Sequence, residues 1–248
     1  MVGLNNLKIK IFADGAQIDG MKSLRDNPNV RGFTTNPSLM RSAGVENYAA
    51  FAKEVLSVIT DHPVSFEVFA DDLPSMEAQA REIGSWGKNV NVKIPVTNTT
   101  GESTIPVIQK LSESGIEVNV TAVFTLDQVE AITDSLDRDT PAIISVFAGR
   151  IADTGIDPVP LMAAAKKIMS LRPKSELLWA SSREILNIFH AEDAGADIIT
   201  VTHEMLEKLP LLNKDLNQYS LETVQAFFKD ATSSGYTIET GDEATVNA

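Results

Sequence analysis

The chain is 248 residues long and carries 34 Asp and Glu against 21 Lys and Arg, a formal charge of −13, with 43% hydrophobic residues and no cysteine. The acidic balance argues against general binding to nucleic acid or an anionic membrane, and the lack of cysteine excludes disulfides, thiolate nucleophiles and Cys-ligated zinc. The first ten residues lack the apolar core and cleavage site of a secretory signal, and no run approaches the roughly 20 apolar residues of a membrane helix, so a cytoplasmic protein is expected.

Eight short runs rich in Val, Ile, Thr and Phe follow one another along the chain. They cover 8–14 (KIKIFAD), 30–36 (VRGFTTN), 64–70 (VSFEVFA), 90–96 (VNVKIPV), 117–123 (EVNVTAV), 142–147 (AIISVF), 176–181 (ELLWAS) and 197–202 (DIITVT). Their starts recur every roughly 21–34 residues, the interval of a βα unit. Between them lie segments of helical periodicity. Residues 45–61 place Tyr48, Phe51, Ala52, Val55, Leu56 and Ile59 on one stripe, and 74–87, 103–114, 126–136, 158–171 and 182–194 repeat the pattern. Gly87, Gly115, Pro173 and Gly195 supply stop signals.

Eight such units predict an α/β protein, a single (β/α)8 TIM barrel, rather than an open doubly wound sheet. The segment after the first strand, IFADGAQID, does not match the GxGxxG dinucleotide fingerprint. The barrel domain is expected over residues 1–234, including a C-terminal helix at 221–231 with Leu221, Val224, Phe227 and Phe228. That helix reads either as the last barrel helix or as an arm docked on a neighbouring subunit. A polar, acidic tail is expected over 235–248.

Alternation along each strand sorts the side chains by face. In VNVKIPV the outward set is wholly apolar, which leaves Asn91, Lys93 and Pro95 pointing into the barrel. The same parity turns inward Glu67, Asn119 and Thr121, Ser145 and Phe147, Asp14, and Thr34 with Asn36. Chemistry in such barrels sits at the C-terminal ends of the strands, where these polar residues cluster. A lysine and two acids inside a barrel are costly unless fully satisfied. A lysine in a partly desolvated pocket also loses affinity for its proton, and the free amine attacks a carbonyl. One lysine, flanking acids and hydrogen-bonding amides and hydroxyls make a Schiff-base constellation, pointing to a lyase or transferase of the class I aldolase type. The histidines, His62, His190 and His203, lack metal spacing and read as surface or helix-cap residues. Asp71–Asp72 and 137–139 read as solvated loop charges, and neither a metal nor a cofactor is expected.

With those residues in place, the chain resembles the transaldolase family, specifically its short bacterial members, which include fructose-6-phosphate aldolases. The resemblance runs from about Lys8 to about Lys208 through FADGA, GFTTNPSL, VSFEV, VKIPVT, VNVTAVF, SVFAGRI and WASSREI, in that order. It implies that Lys93 forms the Schiff base with the C2 carbonyl of a ketose phosphate. It further implies that Asp14 takes the C4-hydroxyl proton, and that Glu67 with Thr121 handles, through a water, the protons of carbinolamine formation and dehydration. Asn36, Asn119 and Ser145 would hold the dihydroxyacetone unit, with Thr34 and Phe147 also in the substrate-binding set. Arg150, Ser181 and Arg183 match the phosphate-binding group, where guanidinium forks grip an anion.

Within the family, simple aldolases carry glutamine at the Glu67 position and tyrosine at the Phe147 position. The acid and Phe present here favour transfer of dihydroxyacetone between sugar phosphates, the transaldolase reaction of the non-oxidative pentose phosphate pathway, over its release as a free product. A catalytically silent sugar-phosphate-binding barrel is the remaining alternative. The chain departs from its relatives at Gly15, where a hydroxyl residue is common, and at Val146, where many carry proline; a looser Asp14 environment is expected. The resemblance also implies a homo-oligomer, a pentamer or decamer, whose partners are small sugar phosphates and not nucleic acid or membrane.

Overall fold

The computed structural model describes residues 7–238; the end of the expected acidic tail, 239–248, lies outside the described residues. Eight strands run β1 Lys10–Asp14, β2 Val30–Thr34, β3 Val64–Glu67, β4 Val90–Pro95, β5 Val118–Val123, β6 Ala142–Val146, β7 Ser175–Trp179 and β8 Ile198–Thr202. Each pairs in parallel with the next, and β8 pairs with β1, so the sheet closes in sequence order. The expected (β/α)8 barrel is the observed fold. The helices that cover it include α1 Ile18–Arg25, α2 Pro37–Ser42, α3 Tyr48–Val58, α4 Leu73–Gly84, α5 Ile105–Glu113 and α6 Leu126–Ser135. The remainder are α7 Ala148–Asp153, α8 Pro158–Met169, α9 Leu186–Asp193 and α10 His203–Glu207.

Two apolar cores result from strand alternation. The larger lies between the outward faces of the strands and the helices, with Val92, Ile94, Val120 and Val146 wholly buried beneath residues such as Ile108, Leu111, Ile132 and Met162. The smaller lies inside the barrel and consists of Phe12, Ile143, Leu178, Ala180 and Ile198, with Phe147 packed against it. Phe12, Ile143 and Ile198 fill the interior below the polar positions of their own strands, as layered side chains do in closed eight-stranded barrels, while Leu178 and Ala180 carry the apolar lining to the C-terminal end of β7. Polar residues occupy the next inward positions along β1, β6 and β8: Asp14, Ser145 and Thr200.

Several boundaries differ from the periodicity, each for a local reason. The third strand stops at Glu67 rather than at the expected residue 70, because Gln79 Oε1 accepts from Phe69 N and Ala70 N at 2.8 and 2.9 Å and replaces the ladder. Helix α9 begins at Leu186 rather than 182. Ser181 adopts a left-handed φ of 62°, and Asn187 Oδ1 takes up the backbone N–H groups of Arg183 and Glu184. Four short helices, α1, α2, α7 and α10, carry no pattern long enough to show a stripe; α1 buries only Met21. The acidic residues expected as solvated loop charges are engaged, Asp71 and Asp72 from exposed positions and Asp137 from a half-buried one. Asp71 binds Thr99, Asp72 caps α4 through Ser75 N, and Asp137 accepts from Asp139 N.

The barrel unit ends at Leu209, and residues 210–238 belong to a second compact unit. Its helix α11, Leu216–Ser234, is longer than the expected 221–231, because Asp215 caps its start by accepting from Gln218 N and Gly235 ends it in the left-handed conformation. None of its residues is buried. No described helix is long and apolar enough to cross a membrane.

At the C-terminal end of β6 the backbone passes very close to the end of β7. Gly149 N donates to Ala180 O at 3.1 Å, and a Cβ on Gly149 would lie 1.6 Å from Ser181 O. Backbone cannot swing aside as a side chain can. Gly149→Ala is therefore expected to cost about 3 kcal/mol or more, at or above the upper end for overpacking, measured as a fall in denaturant midpoint against wild type.

Candidate active site

A cavity of about 450 Å³ opens where the polar inward residues cluster, lined by residues that include every expected site residue except Arg183. Lys93 rises from β4, and its Nζ lies 3.1 Å from Glu67 Oε2 on β3 while donating to Thr35 O at 3.2 Å. The two side chains are only 12% and 18% exposed. They are direct partners in the β3–β4 register, so barrel hydrogen bonding itself sets acid beside base. The contact sets the amine directly against a carboxyl, close enough for a proton to pass between them.

Glu67 is steadied from behind. The Tyr48 hydroxyl donates to Glu67 O at 3.0 Å and accepts from Glu67 N at 2.7 Å. Tyr48 in turn is wedged among Phe66, Phe69 and Trp86, with ring centroids 4.6–6.1 Å away. Burial pushes the Tyr48 phenol well above its ordinary pKa, which keeps it a neutral hydroxyl able to serve both backbone groups. Sequence reasoning placed Tyr48 on the apolar stripe of α3 and missed this clasp; a phenol among otherwise hydrocarbon positions was the available signal.

Across the cavity, Asp14 ends β1 and accepts from Thr34 Oγ1 at 2.9 Å. Burial raises its pKa, opposed by the positive charge of Lys93 and the Thr34 hydrogen bond and reinforced by the negative charge of Glu67. The looser environment expected beside Asp14 is partly filled from behind: Asp14 is partly buried at the cavity wall, and the ring of His203 stands 3.2 Å from where a Gly15 Cβ would be. His203 is half-buried with its Nε2 wholly enclosed, and so departs from the expected surface role.

The remaining polar residues form a chain around the walls. Ser145 Oγ donates to Asn119 Oδ1 at 2.6 Å, and Asn119 Nδ2 donates to Ser65 Oγ at 3.0 Å. Asn36 Oδ1 is committed to capping α2 through Leu39 N at 3.0 Å, so its amide N–H groups are what it offers the cavity. Thr121 Oγ1 is buried without a hydrogen-bond partner in the protein. It sits in a bulge: from Val120 to Val123 β5 advances three residues while β6 advances two, from Ile144 to Val146. The next residue, Ala122, takes a left-handed φ of 59°, and both Thr121 and Ala122 face the cavity, which simple alternation does not allow.

The expected anion group is divided. Arg150 lines the cavity with its guanidinium 5.1 Å from the centre of the Phe147 ring, and Ser181 lines it beside Ala180. Arg183 is not among the lining residues. It is half-exposed and bound to Asp153, Nε at 3.2 Å and Nη2 at 2.5 Å, which holds the Asp153 carboxyl below its ordinary pKa. Among the described residues no group of His, Asp and Glu is arranged to hold a metal ion.

The profile of the family described as Transaldolase/Fructose-6-phosphate aldolase matches residues 11–243. A protein named probable transaldolase from Clostridium acetobutylicum is 32% identical over 225 residues, 89% of this chain and 100% of the relative. One named probable transaldolase 2 from Listeria monocytogenes is 33% identical over 223 residues, 88% and 97% of the two chains. Among solved structures, KGPDC from Streptococcus mutans superimposes with a TM-score of 0.52 at 12% identity, covering 79% of this chain and 88% of that one. The carboxyl transferase domain from Rhizobium etli pyruvate carboxylase gives 0.57 at 8% identity, covering 80% and 40%. Both structural likenesses concern the fold alone.

Asp14 also gives a stability prediction. A carboxyl whose folded pKa is raised binds its proton more tightly folded than unfolded, so folding stability falls as pH rises through that range. Asp14→Asn is therefore expected to raise the melting temperature at neutral pH. The gain should vanish in acid below the carboxyl's ordinary pKa of 3.8. Thermal unfolding of both proteins across pH checks it.

Proposed function

The chain belongs to the transaldolase/fructose-6-phosphate aldolase family, and from that premise we propose that it is a transaldolase. It would move a dihydroxyacetone unit from sedoheptulose 7-phosphate or fructose 6-phosphate to glyceraldehyde 3-phosphate or erythrose 4-phosphate. The observation that carries the reading is the Lys93–Glu67 contact of 3.1 Å inside a cavity that Asp14 also lines. An aldolase-type enzyme needs an amine, a group that takes its proton on contact, and a second acid that acts elsewhere on the substrate.

In this scheme Glu67 accepts the proton of the Lys93 ammonium, and the free amine attacks the C2 carbonyl of the ketose. The same carboxyl, working with the Thr121 hydroxyl through a water, returns the proton to the carbinolamine oxygen, which leaves as water and gives an iminium. Asp14 then removes the C4-hydroxyl proton. The C3–C4 bond breaks toward the iminium, whose nitrogen takes up the electron pair as an enamine, and the aldehyde departs. Addition to an acceptor aldehyde reverses these steps, with Asp14 now giving the proton. Asn36, Asn119 and Ser145 hold the retained three-carbon unit, and Thr34 fixes the Asp14 carboxyl. Phe147 orients Arg150 through its ring face, and Arg150 with Ser181 takes the phosphate. Arg183 joins that group by exchanging Asp153 for a phosphate oxygen.

Glu67 supports transfer over simple lysis. A carboxyl can both take and give a proton, whereas an amide at this position could do neither as readily. The family name covers both activities, and the relatives named as transaldolases match nearly the full chain.

Borohydride added with fructose 6-phosphate is expected to fix a three-carbon adduct on Lys93, found by peptide mass analysis. An adduct absent from wild type, or formed equally in Lys93→Ala, would overturn the Schiff-base assignment. With erythrose 4-phosphate present, wild type should form sedoheptulose 7-phosphate with little free dihydroxyacetone. Glu67→Gln should slow that transfer by about 10²-fold or more, the usual scale for loss of a proton-transfer group. Free dihydroxyacetone accumulating at an undiminished rate in wild type would favour the aldolase activity instead.

A further inference from the structure

Two glycines cut a notch beside the catalytic carboxyl, and one histidine ring fills it. Gly20 stands inside α1, where glycine weakens a helix by roughly 1 kcal/mol relative to alanine. A Cβ there would lie 2.5 Å from His203 Cε1 and 2.9 Å from Nδ1. A Cβ on Gly15, the residue next to Asp14, would lie 3.2 Å from Nε2 of the same ring. Both glycines thus make room for the imidazole, from the end of β1 and from the helix that follows it. The ring begins α10, immediately after Thr202, and Thr202 is the register partner of Asp14 across β1 and β8.

We propose that His203 is a positioning residue for Asp14, a ring seated in the Gly15–Gly20 notch whose protonated form holds the Asp14 carboxyl ionised as the solution is acidified. The proposal rests on Asp14 being the group that moves the C4-hydroxyl proton. Burial lowers the affinity of the imidazole for a proton, while the negative charges of Asp14 and of Glu207, one turn along α10, restore part of it. On the other side Asp14 is influenced by Lys93 from β4, Thr34 from β2, Glu67 from β3 and His203 itself. On α1 the nearest charges, Asp19 and Lys22, pair with each other at 3.5 Å in solvent. Asp14 and His203 are therefore two groups of opposite charge type on either side of Gly15, the carboxyl lining the cavity and the ring seated in the notch behind it with Nε2 bonded to no other group. A proton arriving in mild acid has the imidazole as an alternative to the carboxyl, and once there it stabilises the carboxylate that catalysis uses.

His203→Phe keeps the ring in the notch and removes the second proton acceptor. In the pH profile of kcat/KM for sugar-phosphate cleavage, its acid limb should move to higher pH. At the pH where wild type retains half its maximum the variant should fall by about threefold or more, while the two agree within about twofold in mild alkali. His203→Gln, a smaller and polar replacement, should shift the limb the same way and serves if the Phe variant folds poorly. The reciprocal measurement is independent of turnover: Asp14→Asn should lower the titration midpoint of the His203 ring followed by proton NMR, because coupling between two sites is mutual. Acid limbs that coincide with wild type, a loss equal at every pH, or a His203 midpoint unmoved by Asp14→Asn would each overturn the proposal. If Asp14→Asn instead leaves cleavage intact, the proton-transfer role assigned to Asp14 fails, a result separate from any outcome at His203.

Discussion

The contact between Lys93 and Glu67 organises the interior around it. An ammonium enclosed by protein costs several kcal/mol in lost hydration, and removing one member of such a pair typically costs about 3–5 kcal/mol because the other charge is left alone. The barrel meets this demand through strand register rather than loop conformation, since Glu67 and Lys93 are partners in the β3–β4 ladder. A slip of one residue in either strand would turn one charge into the hydrocarbon layer beneath the helices. The pair therefore ties the chemistry of the site to the correct closure of the sheet, and the Tyr48 clasp on the Glu67 backbone adds a second restraint from outside the barrel.

Above Phe12, Ile143 and Ile198 the inward positions change character within two residues along β1, β6 and β8, while β7 stays apolar from Leu178 to Ala180. Phe12 gives way to Asp14, Ile143 to Ser145, and Ile198 to Thr200. The lower layer excludes water and gives the barrel its rigidity, while the upper layer carries hydroxyls, amides and charges on that rigid base. Short distance between the two layers also explains why Asp14 feels burial so strongly: hydrocarbon lies one residue pair below it. The walls differ in how they are satisfied. Ser145, Asn119 and Ser65 bond one another in a chain, whereas the Thr121 hydroxyl on its bulge has no hydrogen-bond partner in the protein.

Most of this arrangement was legible because strand alternation is a strict rule. Parity alone turned Asp14, Glu67, Lys93, Asn119 and Ser145 inward, and recurrence of strand and helix led to a closed barrel. What escaped were features that depend on contacts between distant segments. The stop of β3 at Glu67 follows from Gln79, a residue of the next helix. The left-handed Ala122 and Ser181 arise from a bulge and a strand-end turn that composition does not encode. Arg183 looked like a second anion-binding guanidinium, but its pairing with Asp153 joins residues 30 apart in the chain. His203 had no visible partner because the space it occupies is defined by side chains that are missing, at Gly15 and Gly20. Absent atoms leave little trace in a hydropathy pattern.

The near-collision between Gly149 and Ser181 bears on how such a site can diversify. Gly149 directly precedes Arg150, and its main chain lies so close to Ser181 that no side chain can be admitted there. Change at this end of the barrel is thereby channelled to neighbours such as Arg150, Asp153 and Arg183, whose side chains can be exchanged without moving the strands. A lineage could explore those three positions while the Gly149–Ser181 approach stayed invariant. Freedom to vary and structural integrity are thus placed on different residues, and the first can be used without dismantling the second.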